Sequence, residues 1–522
     1  MRGRLMILLA LLILLGPFSS WGQEKERVLP LTLEDTILRT LKNNYGVAIQ
    51  ILSPELSSLA VVQAKEKFLP SLGFGFSDRS NQSAAYSWLD AAAETTITDY
   101  YDYDAQVQQL IPTGGTLTAS LTSYRNKSNS RLQTVNPRYG STLRFDFRQP
   151  LLRDFGLKMT RRDIIISQNN YDISETDLEK TIADVINTVE QAYWNLIYSI
   201  ENLKVRQQSL KLAQDLLAKN QRAVEVGTMA PIEIVTAQAE VATREAEILS
   251  AEAQVKNNED RLRTIINLPE AEMKLALPIR PLDMPKFEER KIDVDEALRL
   301  AMENRPELKS LRLGLENQDL NISYAKNQLL PRLDFSVSYY SPGVSGDRLI
   351  YRPDDPLGDP IAIIPGGSSG ALKDALSFKY KNWAVGLTLD FSLSSIFSRA
   401  AYAQARVQME QSLLQIKNQE QIIYLEIRNG VREVETNYKT VQAYRVAREL
   451  AERKLQATEE KLKVGLSTNF EVLTYQRDLS NARISELQSI VNYSISMANL
   501  EKAMGTNLKN RSISVDQVMA GR

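Results

Sequence analysis

An internal duplication restricts the fold of this chain more than any other feature. Asn43-Asn44-Tyr45 and Asn304-Arg305-Pro306 are 261 residues apart, and at that offset Ala64-Lys65 through Phe68-Leu69-Pro70 falls on Ala325-Lys326 through Leu329-Leu330-Pro331. The register holds without a gap from Leu33 to Pro70. Further on, Val226-Gly227 through Gln238 falls on Val464-Gly465 through Gln476 at an offset of 238, so the first copy is 23 residues longer between Pro70 and Gly227. Self-similarity at a fixed offset marks two copies of one structural plan. The copies are expected at 23–267 and 294–505, joined by a linker at 268–293 that carries Pro269, Pro278, Pro281 and Pro285, with a tail at 506–522. The prolines predict an irregular connector packed on the outside.

Each copy changes periodicity after its shared proline. Leu72, Phe74 and Phe76 recur every second residue; so do Tyr101, Tyr103, Ala105 and Val107, with Asp102, Asp104, Gln106 and Gln108 between them. Leu117, Ala119 and Leu121 alternate with threonine and serine, and Leu143, Phe145 and Phe147 with Arg144, Asp146 and Arg148. Such alternation predicts strands with one apolar and one polar face at 71–79, 99–111, 116–125 and 139–148. The second copy supplies 332–340 and 380–391, through Leu333, Phe335, Val337 and Tyr339 and then Trp383, Val385, Leu387 and Leu389. A soluble sandwich also alternates. Three features favour a membrane barrel: strand lengths near those of tilted spanning strands, Tyr86, Trp88, Tyr100, Tyr339, Tyr340 and Trp383 near the strand ends, and long polar connectors (80–98, 126–138, 341–379) opposite the tight Pro112-Thr113-Gly114-Gly115 turn. Six strands are too few to close a barrel, and open edges are not tolerated in lipid. Several chains must therefore each contribute a sheet.

Helical periodicity follows. From 160 to 225 no proline occurs, and Leu178, Ile182, Val185, Val189, Ala192 and Leu196 keep a 3–4 spacing. Long helices are predicted at 160–225 and 398–464, with returning helices at 231–266 and 469–504. Sustained heptads of this kind argue for coiled-coil packing. At about 1.5 Å per residue the first long helix spans roughly 100 Å. Its charge density requires water, so it stands outside the bilayer.

Composition removes the main alternatives. The chain has no cysteine and no histidine, which excludes thiolate and imidazole metal sites, a lipid-acceptor cysteine and a Ser-His-Asp relay. With 63 Lys+Arg against 64 Asp+Glu, no net field points to nucleic acid. Gly366-Gly367-Ser368-Ser369-Gly370 lacks the Gly-Lys-Ser/Thr of a phosphate loop and is expected to be an ordinary loop that opens no strand-to-helix unit. No cofactor, metal or catalytic residue is expected. Arg2, Arg4, the apolar run Leu5–Leu15 and Ser20-Trp21-Gly22 are expected to form a cleaved export signal over 1–22, and no later apolar stretch approaches the length of a spanning helix.

The duplicated frame of strands and long helices, the Gln149-Pro150-Leu151-Leu152 strand exit, and the turns Val226-Gly227-Thr228 and Val464-Gly465-Leu466-Ser467 together resemble the TolC family of outer-membrane efflux proteins from about Leu33 to Gly505. The resemblance implies a mainly α fold with a membrane β-barrel: a homotrimer whose barrel in outer-membrane lipid continues as a periplasmic α-helical barrel of coiled coils. It further implies docking to a periplasmic adaptor (membrane fusion) protein and an inner-membrane pump, at the tips Val226, Gly227, Thr228, Val464, Gly465, Leu466 and Ser467. Family members typically give four strands per chain and twelve per trimer. This chain departs by an additional hairpin at 99–125, which adds strands to the barrel or folds elsewhere. It departs again in the second copy, where Phe391-Ser392-Leu393 replaces the strand-exit proline.

Two acids carry competing readings. Glu233 and Glu471 follow the turns at equivalent places, where the resemblance implies a charged periplasmic gate; Thr474 replaces a second family acid. Thr468-Asn469-Phe470-Glu471 is equally a capping box, and Pro231 with Glu233 fits the first turn of a helix. Glycine at each turn likewise serves as a helix stop. The leading function is an outer-membrane channel of a tripartite efflux or type I secretion system, passing small molecules or polypeptides. The alternative is a structural or adhesive coiled-coil surface protein.

Overall fold

Pro70 and Pro331 sit where each copy changes from helix to strand, because proline removes an amide donor and disfavours helix in the residue before it. In the computed structural model, which describes residues 28–87, 95–130, 133–270, 277–285, 287–355, 358–391 and 394–520, the chain forms two compact units. The export signal expected at 1–22, Trp88 and the Ser392-Leu393 strand exit lie outside the described residues.

The first unit takes residues up to Gln50, Leu178–Arg305 and Ile422 onward. It holds β1 (Leu29–Leu31), α1 (Leu33–Asn43) and the start of α2 (Tyr45–Glu66), and much of α4 (Arg162–Glu225), which follows the one-turn α3 (Leu157–Thr160). Then come α5 (Ile232–Ile266), β6 (Ile279–Pro281), α6 (Val294–Asn304), the later part of α9 (Ile396–Lys463) and α10 (Asn469–Ala503). Its core follows the heptad stripe read from the sequence in part: Leu178, Ile182, Val189, Ala192 and Leu196 are buried on α4, whereas Val185 is only half-buried and its neighbour Ile186, with Tyr193, completes the packing. Ile423, Ile427, Val431 and Val434 are buried on α9. Burying a leucine or isoleucine contributes roughly 1.5–3 kcal/mol, so this stripe outweighs the charged faces that α4 and α9 turn to water. The linker is less irregular than expected. β6 pairs in parallel with β1, Leu29 opposite Ile279, and Tyr193 clamps the pair, its one hydroxyl proton lying within reach of both the Leu31 carbonyl (3.0 Å) and the Asp283 carboxylate (2.9 Å). Residues beyond 506 are docked too: Asn507 donates to the Ala183 carbonyl at 3.0 Å, and Arg511 pairs with buried Glu190. Burial raises the Glu190 carboxyl pKa against the opposing pull of Arg511.

The second unit, Ile51–Asp177 and Pro306–Gln421, contains α7 (Pro306–Asn327) and one antiparallel sheet. Its strands are β2 (Ser71–Ala84), β3 (Thr95–Leu110), β4 (Thr116–Ser128), β5 (Val135–Pro150), β7 (Arg332–Ile350), β8 (Ala362–Ile364) and β9 (Asn382–Asp390). The spatial order is β2-β3-β4-β5-β7, with β9 and the short β8 both pairing with β7. Several strands outrun the ranges expected from alternation, and 341–379 is not one polar connector. β7 continues through Ile350, and α8 (Ser368–Leu376) packs on the sheet with Ala371 and Ala375 fully buried. A Cβ at Gly343 would lie 2.0 Å from the Ala371 carbonyl oxygen, so glycine permits that approach. The glycine run at 366–370 thus leads from β8 into the first turn of α8, against expectation, although it still lacks the lysine of a phosphate loop.

A further correction concerns α2, which is long and apolar enough by length and composition to cross a bilayer. Serine and glutamine interrupt its apolar residues, so no single run announces it. Its exposed Tyr45, Ile49, Leu52, Leu56 and Leu59 follow a 4–3–4–3 spacing, the pattern of a coiled-coil seam.

Candidate functional site

The two helix-reversing turns of the first unit are built alike. After α4, the Gly227 and Thr228 amides donate back to Val224 and Ala223 at 2.9 and 2.8 Å; after α9, the Gly465 and Leu466 amides donate to Leu462 and Lys461 at 3.1 and 2.9 Å. The second bond of each pair reaches five residues back, which makes both turns Schellman motifs with glycine in the left-handed position. Gly227 has φ +78° and Gly465 +75°. Nothing lies within 4 Å of a Cβ built at either glycine, so conformation alone requires glycine there.

Around those turns the surface is apolar without cover from this chain. Val226 is 73% exposed, Val464 69%, Leu466 77% and Phe470 63%. The two turns also meet, because Asn469, buried at the start of α10, donates from Nδ2 to the Met229 sulfur at 3.3 Å. Behind them lies one core in which Ala213 and Leu216 of α4 pack with Leu455 of α9 and Val472, Leu473 and Leu479 of α10.

The acids differ. Glu471 sits at the third position of α10 and completes a capping box: its amide donates to Thr468 Oγ1 at 3.2 Å, and its carboxylate accepts from the Thr468 amide at 3.4 Å. The Ser467 hydroxyl also donates to it. That hydroxyl, then the Thr468 amide, lowers the carboxyl pKa below the usual glutamate range. The cap therefore helps at neutral pH and is lost as pH falls through that lowered value. Glu233 stands in the first turn of α5 and is half-buried. There Pro231 is the cap residue itself, without a side-chain hydrogen bond, and Ile232 begins the helix, one residue later than the sequence expectation.

Arg244 was not among the residues singled out. Only 3% exposed on α5, it donates to the Ser209 carbonyl of α4 (2.6 Å), the Leu473 carbonyl of α10 (3.2 Å) and Glu240 (3.0 Å). One guanidinium thus ties the first copy's hairpin to the second copy's returning helix. The sequence signal was a charge three residues after Val241, at a core position of the heptad.

Comparisons with known proteins agree with this architecture. The family model of outer membrane efflux proteins matches residues 152–268 and 297–506. Among solved structures, the Campylobacter jejuni CmeC outer membrane channel is 16% identical, with 92% of this chain and 89% of that one covered and a TM-score of 0.63. The Vibrio cholerae outer membrane protein VceC (15%, 91% and 96%, 0.61) and the open-state Neisseria gonorrhoeae MtrE outer membrane channel (17%, 91% and 89%, 0.61) share the fold too. No curated protein sequence matches the chain.

Proposed function

Because this chain belongs to the outer membrane efflux protein family, whose members are outer-membrane channels, we propose that it is the exit duct of a tripartite efflux or type I secretion machine. The duct passes small molecules or polypeptides from the periplasm, or from an inner-membrane pump, to the exterior. The observation that carries this reading is the sheet. Across the middle of the long strands its two faces segregate apolar from polar side chains, while among the described residues no strand pairs with the outer sides of β2 and β9. Unpaired edges cannot stay open in lipid, so copies of the chain close the wall, with three copies as the family resemblance implies. The exposed seam of α2 supports the same closure, since coiled-coil stripes are buried by neighbours. Energy comes from partners. The exposed Val226, Val464, Leu466 and Phe470 at the tips offer an apolar surface to an adaptor protein.

Closure is tested by solubilising the protein in mild detergent: a cyclic oligomer, most simply a trimer, is expected to survive. A stable monomer with native β content contradicts it. The gate reading of Glu471 is tested by Glu471→Gln, which keeps the cap hydrogen bond and removes the charge. A ring of three glutamates favours cations. Cation selectivity is therefore expected to fall in low-salt bilayers, where screening is weakest, with little change in stability. Unchanged selectivity leaves Glu471 as a cap alone and moves the constriction elsewhere.

A further inference from the structure

We infer that the hairpin β3–β4 is part of the membrane wall, so that each protomer contributes six spanning strands and the trimer closes an eighteen-stranded barrel, wider than the family's usual twelve. The inference rests on the channel reading above and adds the width of its outer exit.

Four observations place the hairpin in the wall. First, its ladders are continuous on both sides: β2 pairs with β3 from Ser71 opposite Gln108 to Ala84 opposite Thr95, and β4 pairs with β5 from Thr116 opposite Arg148 to Asn126 opposite Arg138. An appendage would break one of these ladders. Second, the faces stay in register across all six strands. The row Leu72, Val107, Ala119, Phe145, Tyr339 and Trp383 is apolar from edge to edge, and the neighbouring row Gly73, Gln106, Ser120, Arg144, Tyr340 and Asn382 is not. Outside the bilayer nothing would require Tyr103, Val107 and Leu117 to share the outward apolar face of Phe145; all are substantially exposed in the isolated chain.

Third, length suffices. β3 has 16 residues and β4 has 13, against the roughly 9–11 that a tilted strand needs to cross. Fourth, the hairpin's turn is fastened to the rim where the wall passes into helix. Thr113 Oγ1 donates to Gln149 Oε1 at 2.7 Å, Gln149 Nε2 donates to the Thr113 carbonyl at 3.1 Å, and the Gly156 amide donates to the same carbonyl at 3.0 Å. The Gln149-Pro150 exit therefore holds the turn as well as ending β5. Because two strands were added, β5 still runs in the direction that its helix requires.

Barrel width follows from strand number. With strands about 4.8 Å apart and tilted by about 40°, twelve strands enclose a backbone diameter of about 24 Å and eighteen about 36 Å. The inward face of the hairpin carries Asp102, Asp104, Gln106 and Gln108 opposite Tyr124, Thr122, Ser120 and Thr118, a mostly polar wall with tyrosine only toward its outer end.

The test uses the full chain, which has no cysteine, so each introduced thiol is unique. Val107→Cys, Ala119→Cys, Gln106→Cys and the β5 reference Phe145→Cys are labelled with bimane and reconstituted in phosphatidylcholine vesicles containing acyl-chain nitroxide lipid. Quenching at Val107 and Ala119 is expected to equal that at Phe145 and to exceed that at Gln106 several-fold. Quenching at Phe145 without quenching at Val107 and Ala119 overturns the six-strand wall and leaves the channel reading intact. No quenching at Phe145 removes both. Electron microscopy of the unmodified oligomer provides a second reading that depends on no variant: eighteen strands in cross-section are expected, and twelve overturn the inference.

Discussion

Gly465→Arg is expected to abolish efflux while export, oligomerisation and conductance of the protein survive. Nothing lies within 4 Å of a Cβ at this position, so the side chain of the arginine starts into open space. Its cost to folding is the strain of a side chain at φ +75°, about 1 kcal/mol. Docking is a different matter. A charge placed among Val464, Leu466 and Phe470, all exposed, must be desolvated when an apolar partner surface closes over it. Loss of about 2 kcal/mol at such a contact weakens binding on the order of thirtyfold. Gly465→Ala carries the strain without the charge and is expected to retain efflux, so the difference between the two variants isolates docking from helix reversal. The measurement is export of a pump substrate from cells with matched outer-membrane levels of each variant. Normal efflux in Gly465→Arg removes this turn from the docking surface.

Arg244→Met is expected to be the most destabilising single change in the helical unit. The methionine fills much of the volume but leaves Glu240 without its partner (3.0 Å) and deletes the bonds to Ser209 and Leu473. Breaking one side of a buried ion pair costs about 3–5 kcal/mol; Glu240 keeps 17% of its side-chain exposure, so about 3 kcal/mol is the reasonable expectation. Because Arg244 joins α4 and α5 of the first copy to α10 of the second, the loss should appear as earlier thermal loss of helix and faster proteolysis within α5 and α10. Glu240→Gln combined with Arg244→Met removes the stranded charge and is expected to recover part of the loss. Equal stability of wild type and Arg244→Met would mean that the guanidinium bonds are not formed in solution.

These two residues illustrate what the sequence makes legible. Gly465 was visible because duplication places it opposite Gly227 and because helix reversal has its own chemistry. Arg244 was hidden because a charged residue at a heptad core position looks like noise until the two carbonyls that receive it are known. The strands were legible where one face is apolar. Their ends were not: Ser80, Asn81, Gln82 and Ser83 continue β2 beyond the alternation, since backbone pairing persists where side chains already meet water. α8 escaped notice because nine residues opening on Ser-Ser-Gly carry too little periodicity, and their burial depends on the Gly343 approach. The pairing of β1 with β6 joins segments about 250 residues apart, and three-residue strands leave no pattern of their own.

The competing readings of Glu471 also have a physical origin. Position three of a helix and a narrowing ring ask for the same carboxylate, and within one chain the cap already uses it. Only the oligomer decides whether three such groups converge.

Single-channel recording of the purified oligomer in a planar bilayer tests the central claim most directly. A closed wall of sheets with polar inner faces predicts stable, stepwise ion conductance that persists when the external loops are trimmed by protease. An oligomer that inserts into the bilayer without conducting, in either polarity and at any salt concentration, would contradict the channel and favour a structural or adhesive coiled-coil protein.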